Sequence, residues 1–153
     1  IAPVIANELT KIQNAKSEFS GGIKIAGRNV RARADLVWDG GVMDFKTGAA
    51  PTKKQLLDGN MPQLPLEAFM LQSGGFKIQT SPLSSAPIMK FLQLKNNDVR
   101  VIEYDEQITQ QMINAAVAKT TELFNIYSAG GAGYEYHETS DKKYRQYDDL
   151  KRV

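Results

Sequence analysis

The chain contains no cysteine and only one histidine and one tryptophan. Without thiols it can hold no disulfide, no zinc–thiolate site and no iron–sulfur cluster. The lone histidine, His137, falls in a polar tail and reads as a solvated side chain. No apolar run approaches the ~18 residues that a membrane-spanning helix needs. No leader of basic, apolar and small residues opens the sequence, so a cytoplasmic protein with no membrane partner is expected. Neither sign of charge dominates: 19 Lys and Arg against 17 Asp and Glu leave a net charge of +2. Any nucleic-acid binding must therefore rest on local patches. A G-x-x-x-x-G-K-[ST] phosphate loop is also missing, so an ATP-driven motor would have to lie outside this chain.

What is present suits one domain with a real core: 153 residues, 42% apolar and 24% charged. The sequence opens on Ile1 rather than Met, and a piece of a longer protein is expected. Its organising stretch is RADLVWDGGVMDFK, residues 33–46. Two short β-forming runs there flank Asp39-Gly40-Gly41, a hairpin signal. Asp44 and Lys46 are two apart on one strand and so share a face. Asp35, on the partner strand, can lie beside them. Acidic side chains inside apolar runs are costly unless paired or metal-bound.

Around this hairpin the pattern predicts a helix over 4–16, then strands over 18–26, 29–38 and 41–46. Thr52 caps a short helix over 53–58 that stops at Gly59, and Pro62 opens a second helix to about 72. Strands over 88–95 and 99–104 form a hairpin. A long amphipathic helix spans 106–128, with Ile108, Met112, Ala115, Ala116, Lys119, Leu123 and Ile126 along one side. The order implies an α/β fold with a mixed central sheet of about five strands flanked by helices.

The acid–acid–lysine set has a definite chemistry. A hard cation such as Mg²⁺ takes oxygen ligands and keeps several waters. Two carboxylates and a backbone carbonyl leave room for water and a phosphate oxygen. Lys46 beside them can steady the charge of a phosphoryl transition state. The plain alternative is a surface salt bridge between Asp44 and Lys46. Arg28, Arg31 and Arg33 are expected to line one face of the second strand, with Asp35 continuing the row toward the site. Such a row suits DNA phosphates, as do Lys53 and Lys54.

The run RADLVWDGGVMDFKTGAAPTKKQLLDGNMPQLPLEA resembles the RecB-family nuclease domains of the PD-(D/E)XK superfamily. Asp35 takes the place of the family's first Asp, Asp44 that of its second acid, Lys46 that of its catalytic lysine and Gln63 that of the glutamine in its Q-x-x-x-Y motif. More narrowly, DFKTGAAPTKKQ, PQLPLEA and YRQYDDLKRV resemble the carboxy-terminal nuclease domain of the AddB family in its alphaproteobacterial form. The match covers roughly half of the chain. Two departures stand out: Ala34 replaces the family's Pro, and Glu67 replaces its Tyr.

The resemblance implies a restriction-endonuclease-like core and a Mg²⁺-dependent deoxyribonuclease, with Mn²⁺ as a possible substitute. It places the chain in double-strand break processing and recombinational repair, with an AddA-like helicase–nuclease subunit and the rest of its own subunit as partners. The metal is expected on Asp35, Asp44 and the Phe45 carbonyl. A further ligand is expected from Glu8 on the first helix, with Glu18 as its rival. Gln63 and Glu67 share a helix face and are expected near the site, on DNA phosphate or the metal's water shell. The competing function is a non-catalytic DNA-binding or scaffolding module on the same fold, in which the acids and Lys46 form a structural ion cluster.

Overall fold

The structure is a computed structural model, and it describes residues 3, 6, 15–78, 83, 85–129 and 151–152. The helix expected over 4–16 falls almost wholly outside these residues, as do Glu8, His137 and most of the polar tail.

Three antiparallel strands come first: β1 (Lys16–Ile25), β2 (Arg28–Trp38) and β3 (Gly41–Lys46). The β1–β2 turn is tight because Ala26 and Gly27 both take positive φ, 51° and 76°. Two helices, α1 (Lys53–Leu57) and α2 (Gln63–Gln72), then carry the chain over the sheet. This crossover lets β4 (Ile88–Lys95) run parallel to β3. Asn96 and Asn97, again at positive φ, return the chain into β5 (Asp98–Glu103). The long helix α3 (Glu106–Ala129) follows, and a two-residue strand, β6 (Lys151–Arg152), pairs with β2. The sheet order β1-β2-β3-β4-β5 is the mixed α/β architecture that the sequence predicts.

Helix α1 starts with a capping box: the Thr52 hydroxyl accepts from the Gln55 N–H, and the Gln55 side chain accepts from the Thr52 N–H. It ends at Gly59, whose φ of 75° suits glycine. Helix α2 is buried on nearly all sides, through Leu64, Pro65, Leu66, Glu67, Ala68, Met70 and Leu71. It is sandwiched between the sheet and α3, which explains why an acid on it is so enclosed. The buried stripe of α3 differs from the expected one. Thr109 and Thr120 are inside, while Ile126 is 56% exposed. Thr120 reaches the core because its hydroxyl donates to the Ala116 carbonyl at 2.8 Å.

The sheet has two unequal faces. The main core joins Val30, Ala32, Ala34, Val37, Val42, Met89 and Phe91 to α2 and α3. A small cluster of Leu36, Trp38, Met43 and Leu92 covers the other face. On β2 the alternation slips. Val30, Ala32 and Ala34 face the helices, but beyond Asp35 it is Val37 that does so, while Leu36 and Trp38 face away. The register on either side, Phe19↔Ala34 and Ser17↔Leu36, leaves Glu18 opposite Asp35 without a ladder pair. Glu18 takes a φ of 47°. Such distortions re-aim side chains, and this one re-aims Asp35.

Candidate active site

On β3, Asp44 and Lys46 have the parity of Val42 and so point to the helix side. The slip on β2 brings Asp35 to that side too. The Phe45 N–H donates to Asp35 Oδ2 at 2.9 Å. Asp44 Oδ2 and Lys46 Nζ form an ion pair at 3.0 Å. Asp44 is buried, 7% exposed, beside Phe91 on the neighbouring strand. Burial raises its pKa from 3.8 to about 6, a hydrogen bond with Asp35 pushes the same way, and Lys46 opposes both. The pair with Lys46 is therefore no exposed surface salt bridge.

Glu67 enters from α2. It is 1% exposed. Burial holds its carboxyl well above the usual range, and the charges of Asp44 and Asp35 add to that shift while Lys46 opposes it. Its Oε2 has no hydrogen-bond partner. The structure thus gathers three acids and one ammonium on one face. At 1% exposure Glu67 offers no surface for the expected contact with DNA phosphate. Gln63 is half-buried one helical turn before Glu67, on the same side of α2.

Several expected residues fall elsewhere. Glu18 does not face the acids: its Oε2 accepts from Arg33 Nη2 at 3.1 Å, with both side chains exposed. Arg31 and Arg33 are exposed between the inward Val30, Ala32 and Ala34, so they line the face turned away from the helices. Arg28 is on the other side, its guanidinium 5.5 Å from the Phe124 ring centre on α3. The three arginines therefore form no single row, and Asp35 does not extend one. Arg28 is three residues from Arg31, so regular alternation already puts it on the opposite face, and the slip at Asp35 takes that residue out of the row as well. Lys53 and Lys54 are exposed at the start of α1.

Phe45 has its ring exposed and its N–H aimed at β2. In an extended strand a residue's N–H and C=O point to the same edge, so the Phe45 carbonyl also faces Asp35. One supporting residue has no counterpart among the sequence expectations. Gln93 pairs across the ladder with Lys46, and its Nε2 donates to the Gly48 carbonyl at 2.7 Å. A lone amide in the run IMKFLQLK was its only sequence signal. Gln93→Ala is expected to cost about 1–2 kcal/mol, because the Gly48 carbonyl loses its partner; urea denaturation measures this.

Oxygen donors of this kind suit a hard divalent cation. The excess of buried acid over Lys46, and the orphaned Glu67 oxygen, are what such an ion would offset. Among the described residues no three His, Cys, Asp or Glu side chains form a closed metal-ligand group. A largely hydrated ion needs none.

Known proteins add little to this geometry. No family model matches the chain. Over 72 residues it is 40% identical to an uncharacterized protein of Rickettsia typhi, RT0391, a match covering 43% of this chain and 8% of that protein. The chain thus spans a small part of that relative's length. The crystal structure of SSO0001 is similar at a TM-score of 0.38 and 17% identity, over 79% of this chain and 56% of that one; a likeness of that size carries no argument. No helix among the described residues is long and apolar enough to cross a membrane.

Proposed function

We propose that this domain is a metal-dependent deoxyribonuclease that hydrolyses phosphodiester bonds during double-strand break processing, with DNA and an AddA-like helicase–nuclease subunit as partners. The observation that carries the reading is the convergence of Asp35, Asp44 and Lys46 on the helix side of the sheet. An alternation slip in β2 is needed to achieve it.

Asp35, Asp44 and the Phe45 carbonyl are the groups to hold Mg²⁺ or Mn²⁺. The bound ion supplies Lewis-acid stabilisation of phosphate and lowers the pKa of water. The Phe45 N–H fixes the Asp35 carboxylate through its 2.9 Å bond. Lys46 balances part of the acidic charge and, once the ion is bound, is placed to stabilise charge on the phosphate oxygens. Gln93, by holding Gly48, fixes the chain immediately after Lys46.

The direct test is labelled linear single-stranded DNA incubated with the protein in Mg²⁺, in Mn²⁺ and in EDTA. Cleavage is expected with either ion and none in EDTA. No metal-dependent cleavage, alone or with the helicase partner added, overturns the reading.

The pKa of Asp44 adds a pH prediction. Its folded value, about 6, lies above the ordinary 3.8, so the protonated acid favours the metal-free fold. That contribution is complete below pH 3.8 and is lost as pH rises through about 6. Protons compete with the cation for the same carboxylate. Mn²⁺ affinity is therefore expected to fall as the pH drops through about 6, where an ordinary aspartate would still be ionised. Calorimetric titration at pH 5 to 8 checks it; flat affinity over that range contradicts it.

A further inference from the structure

Helix α2 would be simpler without Glu67. Its neighbours Leu64, Leu66, Ala68, Met70 and Leu71 are apolar and buried, and an apolar residue at 67 would complete the packing. Instead a carboxyl group sits there at 1% exposure, with Oε2 unpartnered. Burying an unpaired carboxyl is costly, and replacing buried charge by apolar volume is commonly stabilising. Lys46 offsets it only in part, because its ammonium is already paired with Asp44 at 3.0 Å. Three acids therefore share one ammonium, Asp44 and Glu67 buried, Asp35 and Lys46 half-buried. What such a set lacks is positive charge.

The position of Glu67 defines how it would meet a cation. It comes from the helix layer, facing Asp44 and Asp35 on the strands. It does not close a ligand cage with them. A hydrated divalent ion on the two strand acids would turn part of its water shell toward α2.

We propose that Glu67 is a positioning residue for the divalent cation of this site, its orphaned Oε2 accepting a hydrogen bond from the ion's hydration shell. The inference rests on the reading of Asp35 and Asp44 as the cation's ligands. It gives residue 67 a role in ion affinity and in the orientation of shell water, one that neither DNA contact nor packing accounts for. Acceptors in this outer layer typically change metal affinity by ~10–100-fold.

The test is Mn²⁺ titration by calorimetry, with the ion alone as probe, on the full chain and on Glu67→Gln, Glu67→Met and Asp44→Asn. Melting in EDTA is measured on the same samples. Glu67→Gln and Glu67→Met are expected to weaken Mn²⁺ binding by ~10–100-fold, yet to leave the melting temperature in EDTA unchanged or higher. Two substitutions guard against one that fails to fold. Mn²⁺ binding as tight as the unaltered protein's, with Asp44→Asn binding lost, overturns the role of Glu67 and leaves the site standing. Lowered melting in EDTA alongside weaker binding makes Glu67 a structural residue and also overturns it. If the unaltered protein binds no Mn²⁺, the site reading and this inference fail together.

Discussion

Asp44→Ala is expected to lower Mg²⁺-dependent cleavage of linear single-stranded DNA by about a thousandfold or more, the equivalent of ~4 kcal/mol of transition-state stabilisation. The size follows from what the carboxylate touches. Asp44 pairs with Lys46 at 3.0 Å, interacts with Asp35 and lies in the field of Glu67. On the proposed reading, removing it deprives the cation of a ligand, and it releases Lys46 from its ion pair. Lys46→Ala is expected to lose less, about 10²–10³-fold, by analogy with removing one electrostatic stabiliser. Stability should move the other way. Asp44 is a buried acid whose ionised form is disfavoured by its surroundings, so Asp44→Asn should raise the melting temperature of metal-free protein at pH 8 more than at pH 4. Loss of activity with a gain in stability separates a functional acid from a structural ion cluster. The scaffolding alternative predicts that Asp44→Asn destabilises the fold and that metal is irrelevant to it.

Gly75→Ala is expected to destabilise the domain by ~3 kcal/mol, near the upper end for overpacking. For a chain of this size that lowers the melting temperature by roughly 6–12 °C. A Cβ at Gly75 would lie 2.3 Å from the Gly22 carbonyl oxygen on β1 and 3.2 Å from that of Met70 on α2. Both obstacles are backbone, so no side chain can move aside. The same residue links the layers: its N–H donates to the Met70 carbonyl at 2.6 Å, and its carbonyl accepts from the Gly22 N–H at 3.2 Å. Relieving the clash would push the end of α2 off β1 and shift Glu67 against the strand acids. Gly48→Ala is the control, because a Cβ there meets nothing within 4 Å. Urea midpoints should separate the two variants clearly. Equal midpoints would mean that α2 and β1 are not in this close register.

From β1 to α3 the sequence by itself determined the elements and their order. Two-residue alternation, Asp39-Gly40, the Thr52 cap and the Asn96-Asn97 turn are local signals, and local backbone preference settles them without the rest of the chain. It also determined that Asp44 and Lys46 lie on one face of β3, since residues two apart share a face in any strand. It could not decide the face of Asp35. Regular alternation would place Asp35 with Arg31 and Arg33, away from the helices; only the distortion opposite Glu18 turns it toward Asp44. That distortion arises between strands, from pairing no window of sequence contains. The partner of Glu18 was likewise decided across the sheet, where Arg33 meets it. Glu67 is the clearest case. One helical turn after Gln63, it reads equally well as a surface acid or a site residue. Its character came from tertiary burial: α2 is enclosed by the sheet and α3, water is excluded, and a carboxyl group is left facing two others with its own oxygen unpaired.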